Sequence, residues 1–213
     1  MLNRRMVTSV MAAGAASLLA GGLPAGANAS LALRLKEPGP LPERVFGDAS
    51  APVTIIEYAS LSCGFCAKFH IETWPALKAK YVDTGKASFI IREFPLEPLA
   101  MAGFMLSRCR EAQWYEILDR LYVTKEDWAH SRQPVEAIVA ALAPLGVTRE
   151  DFSSCVTNVE LYRSLLGVRE RAEKTFGVNA TPTFFINGAK HQGALTLAQF
   201  DAILGPLLNR PRP

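Results

Sequence analysis

The chain has 213 residues, 49% of them hydrophobic and 20% charged, with a formal net charge of +3 at pH 7. Its acids are interspersed among its bases, and no lysine or arginine stripe with interleaved aromatics occurs, which argues against a nucleic-acid partner. The length suits one sizeable core, or one core carrying an inserted subdomain, and internal repeats and low-complexity tracts are absent.

In chain order, Arg4 and Arg5 precede an Ala/Gly-rich apolar run over about 6–22, and Ala27-Asn28-Ala29 supplies the small-x-small pattern cut by signal peptidase. Residues 1–29 are expected to be a cleaved export signal, because the run is short and interrupted by Gly and Ser, below the ~20 residues of a membrane span. Asn3-Arg4-Arg5-Met6-Val7 loosely resembles a twin-arginine signal, so the export route stays open. The remainder has a net charge of about +1. Export would place it where disulfides persist, so its four cysteines are expected to form two pairs. Residues 30–44 are an N-terminal extension, with Pro38-Gly39-Pro40-Leu41-Pro42 read as a short extended linker.

The β-branched run 53–60 predicts a buried strand, followed by a helix over about 64–82 that ends before Gly85 and is kinked by Pro75. A second strand over 87–94 exits through Pro95 and Pro98. Apolar spacing in Trp114/Ile117/Leu118/Leu121 and Val135/Ile138/Val139/Leu142 predicts a long helical region over about 99–176. A hairpin of 183–186 and 189–192 around Asn187-Gly188 and a closing helix over 197–208 complete the chain. The expected order is βαβ, a helical insertion, then ββα.

Between the first strand and its helix stands Cys63-Gly64-Phe65-Cys66. A strand that delivers two cysteines to the first turn of a helix sets them among unpaired N–H groups and the positive end of the macrodipole, where a thiolate is favoured. Cys63 is expected to be that thiolate, facing a partner, while Cys66 lies one turn further in and resolves the bond. Neither Gly64 nor Phe65 donates a hydrogen bond from its side chain, and Phe65 offers an apolar contact for unfolded substrate segments.

Several motifs together carry a resemblance: Phe46-Gly47-Asp48 leading to Ala51-Pro52-Val53-Thr54, Glu57 before the C-x-x-C, Phe94-Pro95-Leu96, and Gly177-Val178-Asn179-Ala180-Thr181-Pro182-Thr183-Phe184-Phe185-Ile186-Asn187-Gly188. From about residue 45 to 208 the chain resembles the DsbA-like family of thioredoxin-fold proteins. The resemblance implies an α/β thioredoxin fold with an inserted α-helical subdomain: 45–97 and 177–208 as its two parts, 98–176 as the insertion. It also implies thiol:disulfide exchange in the bacterial cell envelope, the periplasm, with no cofactor or metal. Cys63 matches the family's attacking cysteine and Cys66 its resolving one. Pro182 matches the loop proline with a cis peptide bond, Thr181 the peptide edge that pairs with a substrate strand, and Glu57 a buried acid assisting proton transfer at Cys66. The implied partners are unfolded or reduced exported proteins and a quinone-linked membrane oxidase of the DsbB type. The family archetype has Pro-His between the cysteines, where this chain has Gly64-Phe65.

Other readings compete. An isomerase or reductase of the envelope would use the same dithiol, and soft thiolates at Cys63 and Cys66 would also suit a copper-handling protein. A metal site of Cys63, Cys66 and His70 lacks an evident fourth ligand, and His70 is read instead as a solvated or core-edge residue. Glu57 could be a strand-end charge, although its apolar neighbours argue for burial. A c-type haem would need His after Cys66, where Ala67 stands. Cys109 and Cys155, in the helical insertion, are read either as a second, structural disulfide or as two buried free thiols.

Overall fold

A computed structural model describes the backbone of residues 25–209 and the side chains from residue 31 onward. Most of the expected export signal, residues 1–24, lies outside the described residues. Helix α1 (Ala25–Lys36) runs across the expected cleavage point after Ala29, and the proline-rich stretch 38–42, expected to be an extended linker, follows it without regular secondary structure. The sequence of α1 is rich in Ala and Leu, which are strong helix formers. Arg171 donates to the carbonyls of Arg34, Glu37 and Pro38, and Arg92 donates to that of Leu35, so groups left open at the helix end find partners. The proline-rich stretch after it is thereby fastened to the body as a strap.

A two-residue edge strand not foreseen in the sequence, β1 (Val45–Phe46), comes next, followed by β2 (Val53–Ala59). The helical run after β2 is not one kinked α-helix. It comprises α2 (Gly64–Lys68), a π-helical turn over Phe69–Thr73, α3 (Trp74–Leu77) and a second π-turn over Lys78–Val82. Pro75 falls in the first turn of α3, where its missing N–H costs least, and the widened turn ahead of it absorbs the lost ladder bond. Strand β3 (Ala87–Glu93) then closes a βαβ unit.

The insertion follows as six helices: α4 (Pro98–Cys109), α5 (Trp114–Val123), α6 (Lys125–Ala129), α7 (Pro134–Leu142), α8 (Arg149–Val156) and α9 (Val159–Phe176). Caps written in the sequence start several of them. The Glu97 carboxylate accepts from the amides of Leu99 and Ala100, and Thr148 and Asp151 form a capping box. A disulfide joins Cys109 at the end of α4 to Cys155 in α8, with Cα atoms 5.7 Å apart. The chain finishes with β4 (Thr183–Ile186), β5 (Ala189–Gln192) and α10 (Leu197–Leu208).

The five strands lie in the order β1-β3-β2-β4-β5, with β2 and β3 parallel and the other neighbours antiparallel. This is a thioredoxin fold with a helical insertion between β3 and β4. Asn187 and Gly188 both have positive φ, which the tight hairpin turn between β4 and β5 demands. The two-residue period of the strands divides the core. Val53, Ile55, Ala59, Phe89, Ile91 and Phe184 pack with Cys66, Phe69 and the inserted helices, whereas Ile56, Tyr58 and Phe185 pack with Leu35 of α1 and Phe176 of α9. Among the described residues no helix is long and apolar enough to cross a membrane.

Candidate active site

The site forms where the carboxyl end of β2 meets the start of α2. Beyond Ala59 the chain turns at Ser60, whose carbonyl accepts from the Cys63 amide at 3.2 Å. Its hydroxyl accepts from the Leu96 amide, so the loop leaving β3 is held against the same turn. Cys63 is the N-cap residue of α2, with extended backbone, and its carbonyl accepts from Ala67 at 3.0 Å. Cys66, one turn further in, is fully buried, whereas Cys63 is partly exposed, and both are thiols. Phe65 between them is 66% exposed.

The loop before β4 closes the site from the other side. The peptide bond from Thr181 to Pro182 is cis, and the Thr181 carbonyl accepts from Cys63 Sγ at 3.2 Å. The Thr183 hydroxyl donates to the Ala180 carbonyl, and the Gln192 amide donates to Asn179, which ties this loop to β5. Thr181, predicted from the sequence motif, therefore lies against the sulfur although 118 positions separate it from Cys63.

The two sulfurs are driven apart in acidity. Cys63 falls from an ordinary 9.0 to about 5, chiefly because the Cys66 thiol donates to it, with help from Thr181 and the Cys66 and Phe65 amides against the opposing effect of burial. Among the described residues the Thr181 hydroxyl has no hydrogen-bond partner, which leaves it free to donate to the Cys63 thiolate. Burial pushes the Cys66 thiol well up, and its bond to Cys63 and the charge of Glu57 add to that. An accessible thiolate thus sits beside a protonated, shielded thiol, the asymmetry that exchange chemistry requires.

Glu57 points from β2 into the same interior and has no exposed surface. Its Oε2 lies 2.9 Å from Nε2 of His70. His70 corrects the sequence reading: it is only 2% exposed and stacks on Tyr122 with ring centres 4.3 Å apart, so it is neither solvated nor at the core edge. The signal was its position four residues after Cys66, which places both on one helix face. Ser60 and Tyr122 were missed; Tyr122 comes from the insertion and carries no motif. Trp74, Trp114 and Trp128 are buried in the core. Among the described residues no three His, Cys, Asp or Glu side chains are gathered as a metal site would need.

A groove of about 400 Å³ lined by Pro95, Leu96, Met101, Met105 and Tyr162 opens from the loop that Ser60 holds. A larger cavity of about 570 Å³ lies on the opposite sheet face beneath α1, bounded by Leu35, Glu43, Arg92 and Phe185, away from the dithiol.

The thioredoxin family profile matches residues 41–205. A Rickettsia conorii protein provisionally named a protein-disulfide oxidoreductase is 28% identical over 150 residues, covering 70% of this chain and 54% of its own length. The chain thus spans about half the length of the curated relatives it matches. The crystal structure of Wolbachia pipientis alpha-DsbA1 superposes with a TM-score of 0.75 at 29% identity, covering 82% of this chain and 94% of that one. Chlamydia trachomatis DsbA shares the fold, with a TM-score of 0.67 at 19% identity over 81% of this chain and 96% of that one. Profile, relatives and fold agree with the motifs around the two cysteines, and the chain belongs to the thioredoxin family, in its DsbA-like branch.

Proposed function

We propose that this chain is a protein thiol:disulfide oxidoreductase, working as an oxidase that gives its Cys63–Cys66 disulfide to folding exported proteins. The observation that carries the reading is the asymmetric dithiol, with Cys63 partly exposed at a helix start against the Thr181 carbonyl and the cis Pro182, its pKa lowered to about 5, and Cys66 fully buried behind it. A stabilised thiolate favours the dithiol form, which makes the disulfide form oxidising. The provisional name of the Rickettsia relative supports the reaction class.

A substrate thiolate attacks Sγ of Cys63, the Cys63–Cys66 bond breaks, and Cys66 leaves and takes up a proton. A second substrate thiolate then attacks the substrate sulfur of the mixed disulfide, and Cys63 leaves as a thiolate. The substrate gains a disulfide and the protein becomes a dithiol, so two electrons move and no cofactor is needed. The low pKa of Cys63 makes it the better leaving group in that last step. Exposed Phe65 and the groove that starts at Leu96 offer apolar surface to an unfolded segment, and the peptide edge at Thr181 offers it a strand partner. Reoxidation falls to a quinone-linked membrane oxidase of the DsbB type, and the site of action is the periplasm.

Equilibration with glutathione buffers, followed by thiol trapping, tests the direction. A potential nearer to about −120 mV than to about −270 mV is expected. A value near the lower figure would make the protein a reductase, and stoichiometric Cu(I) binding by the reduced protein without exchange would make it a copper carrier.

A further inference from the structure

Beneath the dithiol lies a buried acid–base pair that the exchange steps above leave unused. Glu57 Oε2 and His70 Nε2 are 2.9 Å apart, and both side chains are almost wholly removed from solvent. Among the described residues Glu57 Oε1, His70 Nδ1 and the Tyr122 hydroxyl have no hydrogen-bond partner. A buried carboxylate is costly unless a hydrogen-bond donor stands beside it. His70 is that donor: with the proton on Nε2 it binds Oε2 and leaves Oε1 as the open acceptor. Cys66 stands one turn ahead of His70 on the same helical run, and the charge of Glu57 acts on its sulfur.

The surroundings hold the imidazole in place. Tyr122 of α5 stacks on one face almost parallel, at 8°, and Phe69 and Trp74 pack around it. The groups with charge or a titrating proton here are Glu57 from β2, Cys66 and Cys63 from the start of α2, Tyr122 and Tyr115 from α5, the latter accepting from Trp74 and acted on by Glu57, and Glu93 from β3, which acts on Tyr122 and is itself paired with Arg108. Among the described residues no other side chain pairs with Glu57.

We propose that His70 is a positioning residue for disulfide closure, binding Glu57 Oε2 so that Oε1 stays aimed and open to receive the Cys66 thiol proton. This rests on the exchange reading above. In closure from a mixed disulfide, the Cys66 S–H bond breaks and its proton passes to Glu57 Oε1. The sulfur lone pair forms the bond to Cys63 Sγ, and the partner sulfur leaves as a thiolate. Glu57 then returns the proton to solvent or, in the reverse direction, to Cys66. Burial holds the Cys66 thiol well above its ordinary acidity range, so closure near neutral pH depends on such an acceptor.

The test follows the closing step alone. The Cys63–glutathione mixed disulfide is prepared in the parent, His70→Leu and His70→Gln, and release of glutathione is timed from pH 5 to 9 under conditions where each melts cooperatively. His70→Leu removes the donor and should close at least about 10-fold more slowly at pH 7, with the profile displaced to higher pH. His70→Gln keeps an N–H for Oε2 and should restore most of the rate. Equal profiles for all three, or a Gln variant as slow as the Leu variant, would overturn the proposal.

Nitrogen-15 spectra of the unmodified protein decide the same point without any substitution: His70 must carry its proton on Nε2, and a bare Nε2 at pH 7 would rule it out as the donor. If the parent forms no mixed disulfide with glutathione, the oxidoreductase reading falls, while the spectra still settle the pairing. If it does form one and the profiles coincide, only this inference falls.

Discussion

Cys63 and Cys66 share a helix start yet sit at opposite ends of the thiol acidity range, because one sulfur receives hydrogen bonds and the other is enclosed. The largest contribution to the low Cys63 value is the Cys66 thiol itself. Cys66→Ala should therefore raise the Cys63 pKa above about 5 while leaving the attacking sulfur in place. Thiolate absorbance in the ultraviolet reads the shift, and alkylation with mass spectrometry should find mixed disulfides accumulating in cells. An unmoved pKa, or only unmodified monomer, would contradict the assignment. Phe65→His should act in the other sense. An imidazole adds a donor or a partial positive charge where exposed Phe65 has none, and each ~1.4 kcal/mol of thiolate stabilisation lowers the pKa by about one unit and raises the potential by up to about 30 mV. An unchanged or higher Cys63 pKa would show that the residues between the cysteines do not limit oxidising power. His70 marks where residue-level reading stopped: its spacing from Cys66 was visible, but its carboxylate partner lies on another element.

Among elements, the strands were the most legible because near-continuous apolar, β-branched runs reflect a sheet buried on both faces. The run after Cys66 read as one helix because side-chain period hardly distinguishes α from π turns; only backbone bonding does. Strand β1 has two residues and no period to detect. Helix α1 was hidden by the signal-like composition that runs into it. The insertion holds the second cysteine pair, which closes a loop with a sequence separation of 46. By chain entropy such a loop gains up to about 4 kcal/mol, so Cys109→Ala/Cys155→Ala should lower the Tm by several degrees and spare exchange activity. A double variant with unchanged Tm, or with activity lost while folded, would assign this bridge a different part. Because an exposed, poised disulfide is more easily reduced than a packed one, mild reductant should open Cys63–Cys66 while Cys109–Cys155 stays closed.

For the whole molecule the low pKa of Cys63 is also a stability term. An acid whose folded pKa lies below its unfolded one stabilises the fold fully above the unfolded value, and that contribution disappears as pH falls through the folded value. Here the window runs from 9.0 down to about 5. The Tm of the reduced parent minus that of reduced Cys63→Ser should therefore shrink between pH 8 and pH 5, with Glu57 and His70 present in both proteins. A difference independent of pH, measured by calorimetry, would show that the thiolate is not held by the folded structure. By itself the sequence determined the order of the longer strands and helices from β2 onward, the place of the dithiol at a helix start, and the thioredoxin-fold family, because periodicity, turn residues and short motifs are local. Only the tertiary structure decided which residues from distant segments meet there. Thr181 beside Cys63, His70 against Glu57 with Tyr122 stacked on it, and the strap held by Arg92 and Arg171 all depend on how the sheet and the insertion close around one another. Burial and hydrogen bonding, which set the acidity of each sulfur, exist only once that closure has happened.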